Sequence, residues 1–170
     1  MLNEGQNNTF IDVEPGNEAA YALMAQLHRR AFEAQGEKAW TVHSFRELLQ
    51  SPGMKATIVE KDNCPFGFFL YRIVADEAEL ISVGLDPLYQ GQGLAALVLS
   101  RLQSDLALAG VKQLFLEVRQ DNKKAIKLYT GFGFKKIGER KAYYYVKGDK
   151  KVNALVFSLK LPNIDRGLMS

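Results

Sequence analysis

Apolar positions along the chain change period several times, and each change marks an element. Residues 10–14 alternate apolar and polar side chains, which predicts a short first strand. Asn17 then precedes Ala20, Leu23, Met24, Leu27 and Ala31 at helical spacing, predicting a capped helix to about Phe32. A second, shorter helix is expected over 44–50, stopped before Pro52. Three strand-like runs follow at 55–60, 66–74 and 78–85. Asn63-Cys64-Pro65 and Asp76-Glu77 read as the turns of an antiparallel meander.

The pattern then alternates between helix and strand. A helix is predicted over 91–109, with Leu94, Leu97, Val98, Leu102 and Leu106 on one stripe and Gly110 as its stop. Residues 112–119 read as a strand and 122–130 as a short helix closed by Gly131. Two last strands are expected at 134–139 and 155–159, with 143–146 strand or irregular. The crossover through 91–109 should make 78–85 and 112–119 parallel neighbours or near-neighbours. The predicted fold is α/β (α+β): a central mixed, mostly antiparallel, twisted sheet of about seven strands with about four helices.

Length changes this picture little. The 170 residues show no repeat and no linker, so one domain is expected over 1–170, its core about 10–160 and its ends flexible tails. Hydrophobic residues make up 47% and charged residues 24%, a balance that excludes wholesale disorder. Cys64 is the one cysteine, so an internal disulfide is excluded and no Cys/His cluster offers a metal site; a reducing, cytoplasmic setting fits. Residues 1–9 are polar and do not read as a secretory signal, and no apolar run approaches the roughly 18 residues of a membrane helix. The net charge of +3 is too mild to argue for nucleic acid. Basic residues gather late, at Lys123-Lys124, Lys135-Lys136, Arg140-Lys141 and 147–151. Most read as solvated surface, and a minority as an attraction for a polyanionic ligand.

Between the third meander strand and the long helix stands Asp86-Pro87-Leu88-Tyr89-Gln90-Gly91-Gln92-Gly93-Leu94-Ala95. Two glycines and a helix start offer backbone N–H groups to a phosphate or pyrophosphate, and no acidic residue sits at the mouth. Gly91 to Ala96 also fits a dinucleotide fingerprint, with Glu117 as its ribose acid. Two features disfavour that fingerprint. About five residues separate strand from first glycine, and fewer than 60 residues follow Arg119, too few for a doubly wound sheet. A triphosphate loop is excluded because no G-K-[ST] follows.

In the strand 112–119, alternation sets Phe115 and Glu117 on one face and Leu114, Leu116 and Val118 on the other. Partial burial would raise the Glu117 pKa towards that of a general base; a strand-end carboxylate paired with a basic side chain is an equal reading. Asn122 and Tyr129, seven apart, share a helical stripe. Asn122 reads as a cap, and Tyr129 as either a core aromatic or a proton donor to a leaving group. Cys64 is not expected to carry an acyl group, and His28 and His43 read as structural or surface residues.

Together these residues resemble a known family. Asp86-Pro87-x-Tyr89-Gln90-x-x-Gly93-x-Ala95 is similar to the coenzyme A loop of the GNAT superfamily of N-acetyltransferases. Leu116-Glu117-Val118-Arg119, Asn122 and Ala125-Ile126-x-Leu128-Tyr129-x-x-x-Gly133-Phe134 resemble its second half. With Trp40-x-x-x-Ser44-Phe45, the likeness is greatest to the bacterial ribosomal-protein alanine N-acetyltransferase subfamily and spans about residues 10–160. The resemblance implies acetyl-CoA as cosubstrate. Val83, Gly84 and Leu85 would pair with the pantetheine arm. Gln90, Gly91, Gln92, Gly93, Leu94, Ala95 and Ala96 would hold the pyrophosphate, and Asn122 would contact the cofactor. Glu117 corresponds to the general base and Tyr129 to the general acid. The acceptor would be a protein or peptide N-terminus; rivals are a small amine such as a polyamine, amino acid or antibiotic, and a non-catalytic coenzyme A or dinucleotide binder. Gly91 stands where the subfamily usually has a basic residue, and Lys141-Ala142-Tyr143-Tyr144-Tyr145 follows its aromatic segment only loosely. Asp76, Glu77 and Glu79, the cluster a polyamine would need, read as a surface turn.

Overall fold

The computed structural model describes residues 7–146 and 150–164. The remaining positions of the expected tails, and Lys147 to Asp149 of the late basic run, lie outside the described residues. Seven strands form one sheet: β1 (Asn8–Asp12), β2 (Met54–Lys61), β3 (Cys64–Val74), β4 (Glu77–Leu85), β5 (Gln113–Arg119), β6 (Lys135–Val146) and β7 (Lys150–Lys160). Their order is β1-β2-β3-β4-β5-β7-β6. Among the described residues the α-helices are α1 (Glu18–Phe32), α2 (Val42–Leu49), α3 (Leu94–Leu108) and α4 (Lys123–Gly131). The sheet is mixed: β4 and β5 run parallel, as the crossover requires, while β5 with β7 and β6 with β7 are antiparallel.

The chain clusters into two compact units. One holds residues up to Tyr71 together with Ser82–Ala95; the other holds Arg72–Ile81 and the chain from Ala96 onward. In the first unit α1 starts where Asn17 accepts a hydrogen bond from the Ala20 N–H, as predicted. Tyr21, Met24 and Leu27 are buried with Phe45, Phe66, Phe68 and Phe69. Two boundaries moved. Thr41 and Ser44 cap each other reciprocally, so α2 begins at Val42 and not at Ser44. Asp62 and Asn63 both have positive φ, a two-residue hairpin turn, so Cys64 already belongs to β3. His28 is buried and stacks on Trp40 at 4.8 Å, and its Nδ1 accepts the Trp40 N–H at 3.3 Å. It is structural, whereas His43 is exposed beside Glu47.

In the second unit α3 buries Val98, Leu99, Leu102 and Leu106, with Leu97 only half-buried. The apolar side chains Leu114, Leu116 and Val118 are buried on β5, as alternation predicted. Leu161 is also buried and its N–H reaches the Lys112 carbonyl, so ordered chain continues past the last strand. The order of the last two strands was open from the sequence. In the structure β7 inserts between β5 and β6, which sets β6 side chains across β7 from Glu117.

Candidate active site

Glu117 lies one residue beyond the parallel register that pairs Glu77–Leu80 of β4 with Gln113–Leu116 of β5. Its side chain is 15% exposed and faces a cavity of about 290 Å³. The cavity also exposes Phe115 from the same face of β5, Arg72 from β3, Glu77 and Glu79 from β4, Arg140 from β6 and Val156 from β7. The carboxylate is thus both partly buried and paired with a basic side chain. Burial raises its pKa above the usual carboxylate range; the Arg140 guanidinium opposes that, and Glu79 adds to it. The Arg140 Nε lies 2.9 Å from Glu117 Oε1. A carboxylate so placed can accept a proton from a group entering the cavity.

The acidic run before β4 departs from the surface turn expected for it. Asp76 does sit in the turn, paired with Lys112 at 2.9 Å. Glu77 and Glu79 instead begin β4 and line the Glu117 cavity, because their period-two spacing sets both on the cavity face. Three carboxylates and two guanidiniums thus share the space, a net charge of one negative unit.

Tyr129 sits on α4, packed edge-on against Phe134 with ring centroids 5.6 Å apart. It is 6% exposed, and burial, with the nearby Tyr144, pushes its phenol up to about 12. It stays protonated at neutral pH and is a hydrogen-bond donor. It is not among the residues that line the Glu117 cavity. Asn122 caps α4, its Oδ1 accepting the Ala125 N–H at 3.1 Å.

The glycine loop is built separately. The helix predicted from Gly91 starts only at Leu94, because Gly91 and Gly93 both take φ of +76°. A side chain is disfavoured there by conformation, since a Cβ at either position would meet nothing within 4 Å. Among the described residues the Gly91, Gln92 and Gly93 amides donate no hydrogen bond, and the first turn of α3 adds its own free donors. Asp86, the nearest acid in sequence, is buried, paired with Arg30 at 3.0 Å and engaged by the Leu88 N–H. An anion meets open backbone donors here, which suits a diphosphate.

Around the loop, Gln90 Nε2 donates to the Leu85 carbonyl at 3.3 Å, an exposed contact. Val83 is half-buried. Gly84 has a packing role that the sequence did not show: a Cβ there would lie 2.6 Å from Phe68 Cε1 and 3.1 Å from Ala31 Cβ. Sequence reasoning also missed Lys61. Its Nζ donates to Gln92 Oε1 at 3.3 Å, bringing to the loop a cation that Gly91 does not supply. No local pattern marks such a residue, since it arrives from β2. Among the described residues no cluster of three or more His, Cys, Asp or Glu could hold a metal ion, and no helix is long and apolar enough to cross a membrane.

Three comparisons bear on this geometry. The acetyltransferase (GNAT) family model matches residues 21–134. A ribosomal protein bS18-alanine N-acetyltransferase of Haemophilus ducreyi is 34% identical over 142 residues, 82% of this chain and 97% of that protein. The N-alpha-acetyltransferase RimI of Mycobacterium tuberculosis is 33% identical over 144 residues, 81% of this chain and 89% of its own. The crystal structure of the ribosomal-protein-S18-alanine N-acetyltransferase from Escherichia coli aligns at 29% identity with a TM-score of 0.79, covering 96% of this chain and all of that one (100%).

Proposed function

The chain belongs to the acetyltransferase (GNAT) family and is an acetyl-CoA-dependent N-acetyltransferase, and on that premise we propose that its acceptor is the N-terminal α-amine of a protein, of the ribosomal-protein alanine type. The observation that carries this reading is the Glu117 cavity. Its one net negative charge complements a single ammonium, whereas a polyamine needs several unopposed carboxylates. The relatives that share a third of the sequence are named as a ribosomal protein bS18-alanine N-acetyltransferase and an N-alpha-acetyltransferase, which supports the same acceptor. We further propose that the chain works as one domain with its core at about 10–160, in a reducing, cytoplasmic setting.

In this reading the backbone donors of 91–96 hold the diphosphate of acetyl-CoA, with Gln90 and Asn122 as further cofactor contacts and Val83–Leu85 as the edge for its arm. The open space at both glycines supports the loop assignment. Acetyl-CoA supplies an acetyl group activated as a thioester. Glu117 is the general base: it removes the proton that the α-amine must lose for its lone pair to attack. An α-amine has a reference pKa of about 8 against about 10.4 for lysine, so the α-amine needs less help near pH 7. As the new C–N bond forms and the C–S bond breaks, the electron pair leaves on sulfur. Tyr129 meets that charge. With its phenol near 12 and thiols near 8.5, complete proton transfer to a free thiolate would run uphill by about 5 kcal/mol. Tyr129 therefore serves as a hydrogen-bond donor to the departing sulfur more than as a full acid. Transfer is direct, in a ternary complex, with Cys64 uninvolved.

The test is a panel of acceptors at fixed acetyl-CoA: peptides differing in their first residue, an N-terminally blocked peptide containing lysine, and spermidine. Free α-amine peptides should be acetylated, an N-terminal alanine among the fastest, with the blocked peptide and spermidine at background. Preference for spermidine or for the blocked lysine peptide would overturn the acceptor assignment.

A further inference from the structure

The base candidate does not stand alone in its cavity, and the partner it has is built there by a device of the fold. Glu117 pairs across β7 in a row that runs Glu117, Val156, Gly138. Gly138 has no side chain, and only Val156 lies near its Cβ position, so nothing on that row of β6 covers the carboxylate. The next β6 residue on the same face is Arg140, opposite Ala154. Its long side chain passes the small neighbours and reaches back to Glu117.

The β6 backbone is irregular at this point. The register with β7 shifts between Arg140 and Tyr144, and Ala142 takes φ of +53°. Bulges of this kind re-aim side chains beside functional sites. Asn153 pins this one from both sides: its Oδ1 accepts the Ala142 N–H at 2.8 Å and its Nδ2 donates to Glu139 Oε1 at 2.6 Å. The bulge turns Tyr143 under Arg140, whose Cζ lies 5.3 Å from the ring centroid. The guanidinium is thus held between an aromatic face and a carboxylate, although its side chain is 58% exposed. An exposed arginine without such support would gain little from a surface ion pair.

We propose that Arg140 is a positioning residue for the base: seated by the bulge and the Tyr143 ring, it clamps the Glu117 carboxylate at the cavity wall in the ionised form that takes the acceptor's proton. This rests on the reading of Glu117 as base. The charged groups that share the cavity with Glu117 are Glu77 and Glu79 from β4, Arg72 from β3 and Arg140 from β6; β7 contributes only Val156. Arg140 pairs directly with Glu117, at 2.9 Å. Without it, burial and Glu79 would favour the protonated carboxyl, which cannot accept a proton. The cavity's one negative charge also depends on it.

The experiment uses full-length protein labelled at glutamate carboxyl carbons, with the Glu117 signal identified by its loss in Glu117→Gln. Titration by NMR should show the Glu117 midpoint higher in Arg140→Met than in wild type, by about threefold to tenfold in proton affinity. Arg140→Lys, which keeps the charge, should restore most of the difference. Tyr143→Leu should move the midpoint the same way by less. In parallel, kcat for a peptide acceptor should fall in Arg140→Met at pH 6.5 and recover as pH rises, with acetyl-CoA affinity unchanged. Equal midpoints in wild type and Arg140→Met would overturn the proposal while leaving Glu117 as base. A Glu117→Gln enzyme with full turnover would instead overturn the base assignment and this inference with it.

Discussion

A carboxylate can accept a proton at neutral pH only if burial has not already given it one. At position 117 two opposing influences meet. The apolar strand around it favours the neutral form, and the guanidinium of Arg140 favours the charged one. Tyr129 is the reverse case, a group kept protonated because its anion would be stranded in a buried site. Its role as hydrogen-bond donor makes a distinct demand. Tyr129→Phe keeps the ring and its packing on Phe134 and removes only the hydroxyl. The expected result is a fall in kcat of about ten- to a hundredfold with the acetyl-CoA dissociation constant changed less than twofold. Steady-state rates beside calorimetric titration check it; a Tyr129→Phe enzyme with wild-type kcat would remove the phenol from the chemistry. Glu117 and Tyr129 were legible as candidates because each is a chemically able side chain at a definite place in a periodic element. Arg140 was not, because its partner lies two strands away and only the order β5-β7-β6 brings them together.

Elements show where local pattern is enough and where it stops. The described α-helices and strands follow from period and caps, but their ends moved wherever a backbone conformation is decided by a few atoms. The Thr41–Ser44 cap lengthened α2, and two left-handed glycines shortened the predicted start of α3. The same logic applies to Gly84 on β4, whose role as a cofactor edge was expected from resemblance and whose packing role was hidden. Phe68 is fully buried and cannot swing away, so Gly84→Ala forces a ring or a strand to shift. A loss of about 1–3 kcal/mol is expected in urea unfolding. An unchanged unfolding midpoint would mean that β4 and Phe68 separate more easily than the contact implies.

At the scale of the whole molecule, stability carries a pH signature from His28. Burial among Phe32, Trp40, Phe45 and Phe68 pulls its pKa down to about 4, against about 6.5 when unfolded. Between those values the unfolded chain binds more protons, so stability rises with pH. The contribution is complete above about pH 6.5 and is lost as pH falls towards 4. About 2 kcal/mol should disappear between pH 8 and pH 5 in urea titrations, and His28→Gln should flatten that dependence. An equally steep dependence in the variant would assign it to other groups. The long-range arrangement that decides all this, β7 inside β6 and two β4 carboxylates turned into the cavity, has no local sequence signal. It comes from which strands pair, and that is settled by the packed sheet.

The account turns on the carboxylate at 117 acting as a base towards an α-amine, and one pH series addresses it. In Glu117→Gln the peptide-acetylation rate should drop at least about a hundredfold at pH 7. The deficit should shrink as pH passes about 8, where the free amine becomes abundant without help. A Glu117→Gln enzyme as fast as wild type at pH 7, or one whose deficit stays constant across the series, would contradict it.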